Sequence, residues 1–598
     1  MGDEAKNIIE RDKIPGDLKW KTSDIYKRES DWEQGYRSLI EKTNDILEFK
    51  GRLHKRDILL KAMAAFEGLG QAVDKLYFYA HLKKDEDNTN TKYQAMLDKA
   101  HALAVKFESA GSFLVPEILS LPAAYLEKIQ SEEEFEKYRH FLQNLIRKKK
   151  HVLSEKEERL LALSGEIAQA PKNIFTMIND ADIKFPKIKD GQDKIVELTK
   201  GNYKKFMESR KRRVRRQAFN KLYDTYRKQK NTISQTLAHS LKKDSYYAKV
   251  RGHGSTLEAA LFEDNIPLAV YDNLISSVTS NLASLHKYVT AKKRALGLKE
   301  IHTYDLYVPL TGEIQISYEY SQAVKTVQEG LEPLGDHYLS IVKQAFSNGW
   351  IDVLENKGKT SGAYSWGCYS CHPYILLNYQ ENLDNMFTIA HELGHAAHSY
   401  LSNKNQPYIN ASYSIFLAEI ASTLNEILLT KHLLKKYPNQ DIKAYVLNHY
   451  LEQFRNTVYR QTMFAEFEKK IHSMSQNQEP VTTQNLSEIY LELNKKYYGP
   501  DIHIDRKIEM EWARIPHFYN CFYVYKYATG FCAAEALAEK IMDKGGKTET
   551  YLDFLSSGGS DYPINILKKA GIDMVSPEPV EKALNNFGAL VNRLENLI

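Results

Sequence analysis

The chain has 598 residues, of which 43% are hydrophobic and 27% charged, as in an ordinary folded globular protein. Its 82 lysines and arginines nearly balance 77 acidic residues, and a formal charge of +5 is too small for a dedicated nucleic-acid binder of this size. Four cysteines are too few for a disulfide framework, and no run of about 18 apolar residues predicts a membrane span. No apolar leader follows Met1, so we expect a cytoplasmic protein without nucleic-acid or membrane partners.

Helical periodicity dominates the N-terminal part of the chain. Apolar residues recur at three- and four-residue spacing from about 30 to 200, and a brief apolar/polar alternation over 183–198 predicts a small strand pair. We divide the chain into an N-terminal helical lobe, 1–200, and a catalytic domain, 201–598.

A long helical stretch is predicted from about Tyr203 to Lys249. It contains six basic residues in the seven from Arg210 to Arg216. Such a run can bind nucleic acid, but Phe206, Val214 and Phe219 keep roughly helical spacing, which favours a solvated helix face.

The pattern changes between 360 and 379. A glycine-bearing aromatic segment precedes an apolar run, 372–379, that is typical of a strand. Cys368 and Cys371 form a single CxxC without a partner pair or a thioredoxin-like context, so we interpret them as incidental. Beyond Asn382 the chain is helical nearly to its end, which predicts a mainly α fold with a small sheet beside the next helix.

That next helix carries the sequence His-Glu-Leu-Gly-His at 391–395. Histidines four residues apart lie on one helical face, one turn apart, where both can bind one metal ion. Glu392 can then lie beside the ion and accept a proton from the attacking water. The uncharged residues around the motif are those of a buried active-site helix rather than of a solvated one.

Catalytic zinc usually takes three protein ligands. A metzincin would use a histidine ten residues after His391, but that position is Leu401. Glu419 is a single acid in an otherwise apolar stretch, separated from His395 by 23 intervening residues, and is the predicted third ligand of one Zn²⁺ per chain. Glu426, two turns further on, is predicted to orient a ligand histidine, although a plain surface role is an alternative. We place His398 in the cleft wall or behind the ligands.

The strings HELGHAAHS and FLAEIASTLNE resemble oligoendopeptidase F, a branch of the thimet oligopeptidase family. Further stretches that resemble sequence signatures of this family occur at 257–267, 304–309, 362–364, 372–379 and 515–530. The resemblance covers most of the chain, and these stretches together are far more specific than the metal motif alone.

The resemblance implies a two-lobed, zincin-type helical body around a deep channel that admits short peptides and excludes folded proteins. It implies that the strand containing His372 and Tyr374 holds the substrate backbone by edge pairing. It also places a histidine and tyrosines over the scissile carbonyl. His517 and Tyr527 are the best matches for these roles, and Tyr523 is a further substrate contact.

We therefore predict a zinc endopeptidase that cuts internal bonds of short peptides. The alternative is a non-catalytic peptide-binding protein on the same scaffold, which would have no need for Glu392. The sequence does not predict an oligomeric state.

Overall fold

A computed structural model describes residues 8–311, 317–543 and 548–598. The N-terminal residues considered for a leader, Met1–Lys6, lie outside this part of the chain. No helix in the described ranges has the length and apolar character needed to cross a membrane.

The fold is mainly α-helical, as predicted. In chain order the helices of the described residues are α1 Glu29–Lys42, α2 Arg56–Glu86, α3 Thr91–Gly111, α4 Leu114–Ser120, α5 Ala123–Ile129, α6 Arg139–Lys148, α7 Glu155–Thr176, α8 Lys200–Met207, α9 Arg212–Lys228, α10 Lys230–Val250, α11 Thr256–Phe262, α12 Leu268–Ser280, α13 Leu282–Ala295, α14 Tyr320–Gly330, α15 Gly335–Ser347, α16 Leu383–Asn405, α17 Tyr408–Ala411, α18 Ile415–Lys436, α19 Gln440–Phe454, α20 Arg460–Gln476, α21 Thr483–Tyr498, α22 Tyr525–Met542, α23 Thr548–Ser556, α24 Pro563–Lys569 and α25 Glu578–Glu595.

The strands are short and form three small sheets. They are β1 Lys187–Lys189, β2 Ile195–Glu197, β3 Ile301–His302, β4 Ile351–Asp352, β5 Tyr364–Trp366, β6 Tyr374–Leu376 and β7 Ile502–His503. β1 and β2 form the predicted antiparallel pair, with Ile188 opposite Val196. β3 pairs in parallel with β7, and the third sheet has the order β4-β6-β5.

The described chain folds into two compact units, and both are discontinuous in sequence. Unit 1 contains 1–150, 315–432 and 537–571, and unit 2 contains 151–314, 433–536 and 572–598. The chain passes from one unit to the other within α18 and again within α22. The predicted division into an N-terminal helical lobe, 1–200, and a catalytic domain, 201–598, stays a prediction.

The core of unit 1 positions its small sheet. α2 and α3 pack along their lengths and bury an aromatic and aliphatic cluster that includes Trp32, Leu76 and Phe78. Tyr374 and Leu376 of β6 belong to the same cluster. Because β5 and β6 also pack on α16, the core fixes this sheet beside the helix that carries the histidine motif, as predicted.

In unit 2 the predicted helix from Tyr203 to Lys249 is three helices, α8 to α10, with breaks at 208–211 and at Gln229. The basic run is only partly a solvated face. Arg215 is buried and donates from Nε to Asp305 at 2.7 Å, and Arg212 contacts the same carboxylate at 2.8 Å. Part of the run therefore stabilises this unit rather than facing solvent.

Candidate active site

The histidine motif lies in the middle of α16 in unit 1. Asn382 caps the helix, since its side-chain oxygen accepts a hydrogen bond from the Asn385 backbone N–H at 2.9 Å. Leu393 and the two alanines after the motif are buried, which holds the helix in the unit's interior. His391 and His395 remain partly accessible on one face.

The three predicted metal ligands converge on one point. The Nε2 atoms of His391 and His395 are 3.2 Å apart, and Oε2 of Glu419 on α18 lies 3.5 Å from the first and 3.6 Å from the second. Ligand atoms about 2.0–2.2 Å from a tetrahedral zinc ion lie roughly 3.3–3.6 Å from one another. Both the chemistry and the spacing of these donors therefore fit a zinc ion.

The charges around this point favour a cation. Burial opposes ionisation of Glu419, but its hydrogen bond with His395 and the nearby histidine charges lower the pKa of Glu419 to about 2. Partial burial lowers the pKa of His391, yet the hydrogen bond that its ring makes to Glu426 and the surrounding carboxylates raise the pKa of His391 to about 9. The carboxylates around this point therefore supply negative charge that attracts a divalent cation.

Glu426 contacts the ring of His391 on the side away from this point. Its Oε1 lies 2.5 Å from Nδ1 of His391, and the carboxylate is buried. A proton held at Nδ1 by this contact leaves the lone pair of Nε2 directed at the metal position. This geometry favours the orienting role for Glu426 over the surface role.

Glu392 is the buried acid of the motif, with 6% of its surface exposed. Burial raises the pKa of Glu392, and the two neighbouring histidines only partly offset this effect. A carboxylate with a raised pKa is a stronger base than one in water, which is the property that proton abstraction requires.

Gly394 allows α16 and α18 to approach closely. A Cβ atom added there would lie 2.6 Å from the Ala421 carbonyl oxygen, inside the van der Waals limit. The side-chain amide of Asn425 also bridges the helices, donating to the Ala390 carbonyl at 2.9 Å. The backbone approach therefore sets the distance between the histidines and Glu419.

We expect Gly394→Ala to lower the free energy of unfolding by about 1–3 kcal/mol, the usual cost of overpacking. The same change should weaken zinc binding, because α18 must shift with Glu419. Urea unfolding and zinc titration measure both effects. Gly68→Ala on α2, where a Cβ meets nothing within 4 Å, is the control and should be neutral or slightly stabilising. A Gly394→Ala protein with unchanged stability and zinc affinity would contradict this account.

His398 does not line an open cleft. Its ring is almost fully buried, stacks on Tyr413 with 3.6 Å between ring centroids and also packs near Phe554. Burial, with a smaller effect from the charge of His395, lowers the pKa of His398 to about 3, so the ring is neutral. The cleft-wall interpretation is wrong because no open surface reaches the ring. An indirect effect on His395 stays a prediction.

Edge pairing by the strand at 372–379 is also wrong in this fold. β6 is the middle strand of its sheet, pairing with β4 on one side and β5 on the other, so its backbone groups are already bonded. Tyr374 is fully buried and its hydroxyl donates to the Lys21 carbonyl at 2.8 Å. His372 stacks between Trp350 and Tyr374 but is partly exposed, so a substrate contact through His372 stays a prediction.

β5 is one of the two outer strands of this sheet, β4 being the other, and was not predicted as an edge strand from the sequence. It pairs on one side only, with Ser365 opposite Ile375, and packs along α16. The signal was the short aromatic alternation of Tyr364 and Trp366 directly after Gly362, whose φ of 88° turns the chain into the strand.

The remaining predicted residues form an aromatic group within unit 2. His517, Tyr523 and Tyr527 are half-buried neighbours, with 3.5 Å between Nε2 of His517 and the Tyr527 hydroxyl. Tyr519 and Tyr525 of the same segment are buried. The half-buried side chains are thus the ones in this segment that a ligand can reach.

Two family models match the chain. "Peptidase family M3" matches residues 205–586, more than half of the chain, and "Oligopeptidase F" matches residues 117–185. The first match contains the histidine motif and Glu419.

Full-length relatives agree with this assignment. Oligopeptidase PepF of Bacillus subtilis (strain 168) is 44% identical across 99% of this chain and 89% of that protein. Plasmid-encoded oligoendopeptidase F of Lactococcus lactis subsp. cremoris is 41% identical across 99% of both.

Solved structures show the same fold. Oligoendopeptidase-F from Enterococcus faecium has a TM-score of 0.74 at 38% identity, covering 95% of this chain and 99% of that one. A peptidase from Chlamydophila abortus has a TM-score of 0.93 at 36% identity, covering 99% and 100%. The chain therefore belongs to peptidase family M3 and is a metallo-endopeptidase.

Proposed function

We propose that this chain is a zinc-dependent endopeptidase that hydrolyses internal bonds of short oligopeptides. The observation that carries the proposal is the convergence of His391, His395 and Glu419 at spacings that fit one zinc ion. The names of the relatives, oligopeptidase and oligoendopeptidase, support the substrate class.

A zinc ion bound by these three residues would polarise the scissile carbonyl and lower the pKa of water to about 7. Glu392, on the same helix, takes the proton from the attacking water and later delivers it to the leaving amine. Glu426 holds the ring of His391 throughout, through the contact at Nδ1. The non-catalytic alternative is disfavoured because the chain retains this base.

Substrate is held in this proposal by the free edge of β5. An extended peptide there would extend the sheet by one strand, using backbone hydrogen bonds that do not depend on peptide sequence. β5 packs on α16, the helix that carries the base. Such binding suits an enzyme that accepts many peptides.

We assign Tyr527 and His517 as hydrogen-bond donors to the oxyanion that develops on the scissile carbonyl, on the basis of the family resemblance. We expect Tyr527→Phe to lower kcat by about 10²–10³, the usual effect of removing one such donor, with little change in KM. Steady-state kinetics on a defined peptide measures this.

Tyr523→Phe and Tyr525→Phe are matched controls for this prediction. Tyr523 is equally accessible and tests which hydroxyl acts, whereas Tyr525 is buried and should be silent. Equal losses for all three variants would point to a packing effect and remove Tyr527 from the mechanism.

The substrate class can be tested with a mixed peptide library and one stably folded protein, with mass spectrometry of the products. We expect internal cleavage of peptides of roughly ten residues and survival of the folded protein, because a bound β-strand must be extended. Release of single end residues alone, or rapid loss of the folded protein, would contradict the proposal.

A cytoplasmic location is part of the proposal. All four cysteines are unpaired in the structure, which suits a reducing compartment.

A further inference from the structure

A second group of metal-ligating side chains lies inside unit 2. It combines Asp244 of α10, His472 of α20 and Cys521 of the segment before α22, and their ligand atoms all lie within 4.8 Å of one another. Carboxylate, imidazole and thiol together are a donor set typical of zinc. None of these residues has a part in the peptidase mechanism proposed above.

His472 indicates that the group is more than chance packing. Its ring is 1% exposed, and neither ring nitrogen has a hydrogen-bond partner among the described residues. A buried polar atom without a partner destabilises the folded protein, and this imidazole has two such atoms. Burial, assisted by the charge of Lys243, lowers the pKa of His472 to about 3, so the ring is neutral and has a lone pair available for a metal.

Two carboxylates in this part of unit 2 each have a side-chain oxygen without a hydrogen-bond partner among the described residues. Oδ1 of Asp244 pairs with Lys243 at 3.0 Å, but Oδ2 has no partner within the described ranges. Glu468 precedes His472 by four residues on α20, so both lie on one face of the helix. Its Oε1 accepts a hydrogen bond, whereas Oε2 is buried and unmatched in the same way.

The segment that carries Cys521 is held in a strained conformation. Phe522 has a φ of 50°, which is unfavourable for a bulky side chain. Its backbone N–H donates to Oε1 of Glu468 at 2.7 Å, and its ring packs 4.4 Å from that of His472. These contacts fix the cysteine next to the other candidate ligands. Strain of this kind persists where the surrounding structure, or a ligand, compensates for it.

A third group of candidate metal ligands, His302, His503 and Asp505, already has hydrogen-bond partners. Both ring nitrogens of His302 already contact carboxylate oxygens at 3.1 Å, and His503 is exposed. A cation there would have to displace existing partners.

We propose that Asp244, His472 and Cys521 bind a second divalent ion of the zinc class. Binding replaces the thiol proton, which leaves to solvent as the metal–sulfur bond forms. The Asp244 carboxylate and the Cys521 thiolate would then balance the two positive charges of the ion. The ion would tie the segment at 515–524 to α10 and α20 and so has a structural role.

Cobalt substitution of the full-length protein tests this inference independently of peptidase activity. The protein is stripped of metal, loaded with Co²⁺ under anaerobic conditions, and examined by elemental analysis and near-ultraviolet absorption. A thiolate-to-cobalt charge-transfer band requires a cysteine ligand, and the site at His391, His395 and Glu419 has none. We expect two cobalt ions per chain and such a band.

Cysteine variants show which thiolate gives rise to the charge-transfer band. Cys521→Ala should lose it together with one cobalt ion. Cys532→Ala, at a buried cysteine of unit 2, and a Cys368→Ala/Cys371→Ala double variant should keep the band and both ions. Asp244→Asn, which keeps the side-chain volume, should bind the second ion about tenfold or more weakly. A single cobalt ion without the band in the wild type, or a band that survives Cys521→Ala, would overturn the proposal. Absence of the band from the wild type overturns the proposal even if a variant does not fold.

Discussion

Glu392→Gln is expected to abolish most turnover while leaving the metal in place. The amide keeps the size of the side chain but cannot take a proton, and general-base catalysis contributes about 10²–10⁴ to the rate. Loss of proton delivery to the leaving amine adds to the effect. Zinc content should be unchanged, because Glu392 is not one of the three converging ligands. Assays of peptide hydrolysis stopped at fixed times measure turnover, and elemental analysis of the protein measures zinc content.

Peptide binding gives the internal control for this variant. We expect Glu392→Gln to bind a substrate peptide about as tightly as the wild type, since the edge of β5 and the metal ligands are untouched. Near-normal turnover would remove Glu392 from its assigned role. Loss of zinc along with activity would make it a ligand instead.

Glu419→Gln is expected to fail in a different way. This change has the same size as the first but removes an anionic ligand whose pKa the two histidines hold at about 2. Removal of a residue that only orients a metal ligand lowers metal affinity by roughly 10–100-fold. Removal of the ligand Glu419 itself should lower zinc affinity by more than that. Activity at limiting zinc should therefore fall to that of the metal-free protein.

Added zinc distinguishes the two variants. A zinc titration should restore part of the activity of Glu419→Gln, because mass action refills a weakened site. The same titration should restore none for Glu392→Gln. Equal behaviour of the two variants would show that the roles are not separated as assigned.

The ligands could be predicted because their signals are local. His391 and His395 share a helical face through spacing alone, and Glu419 is conspicuous as an acid in an apolar run. The mainly helical fold followed from periodicity in the same way. The role of Gly394 is not local, because it depends on the approach of α18 to α16.

The predictions that failed concern features that depend on contacts between segments distant in sequence. β4 has only two residues, too few for a sequence pattern, yet its pairing makes β6 an inner strand and leaves β5 at the edge. The break at Gln229 has no proline or glycine to indicate it. His398 shares the ligand helix, but its burial depends on Tyr413 and Phe554, which come from elsewhere in the chain.

The most direct test of the central claim is hydrolysis of one internally quenched peptide by the full-length protein before metal removal, after it, and after zinc is returned. The account predicts internal cleavage that disappears when elemental analysis finds no metal and that returns with zinc in the wild type but not in Glu392→Gln. Undiminished cleavage by protein shown to contain no metal would contradict it.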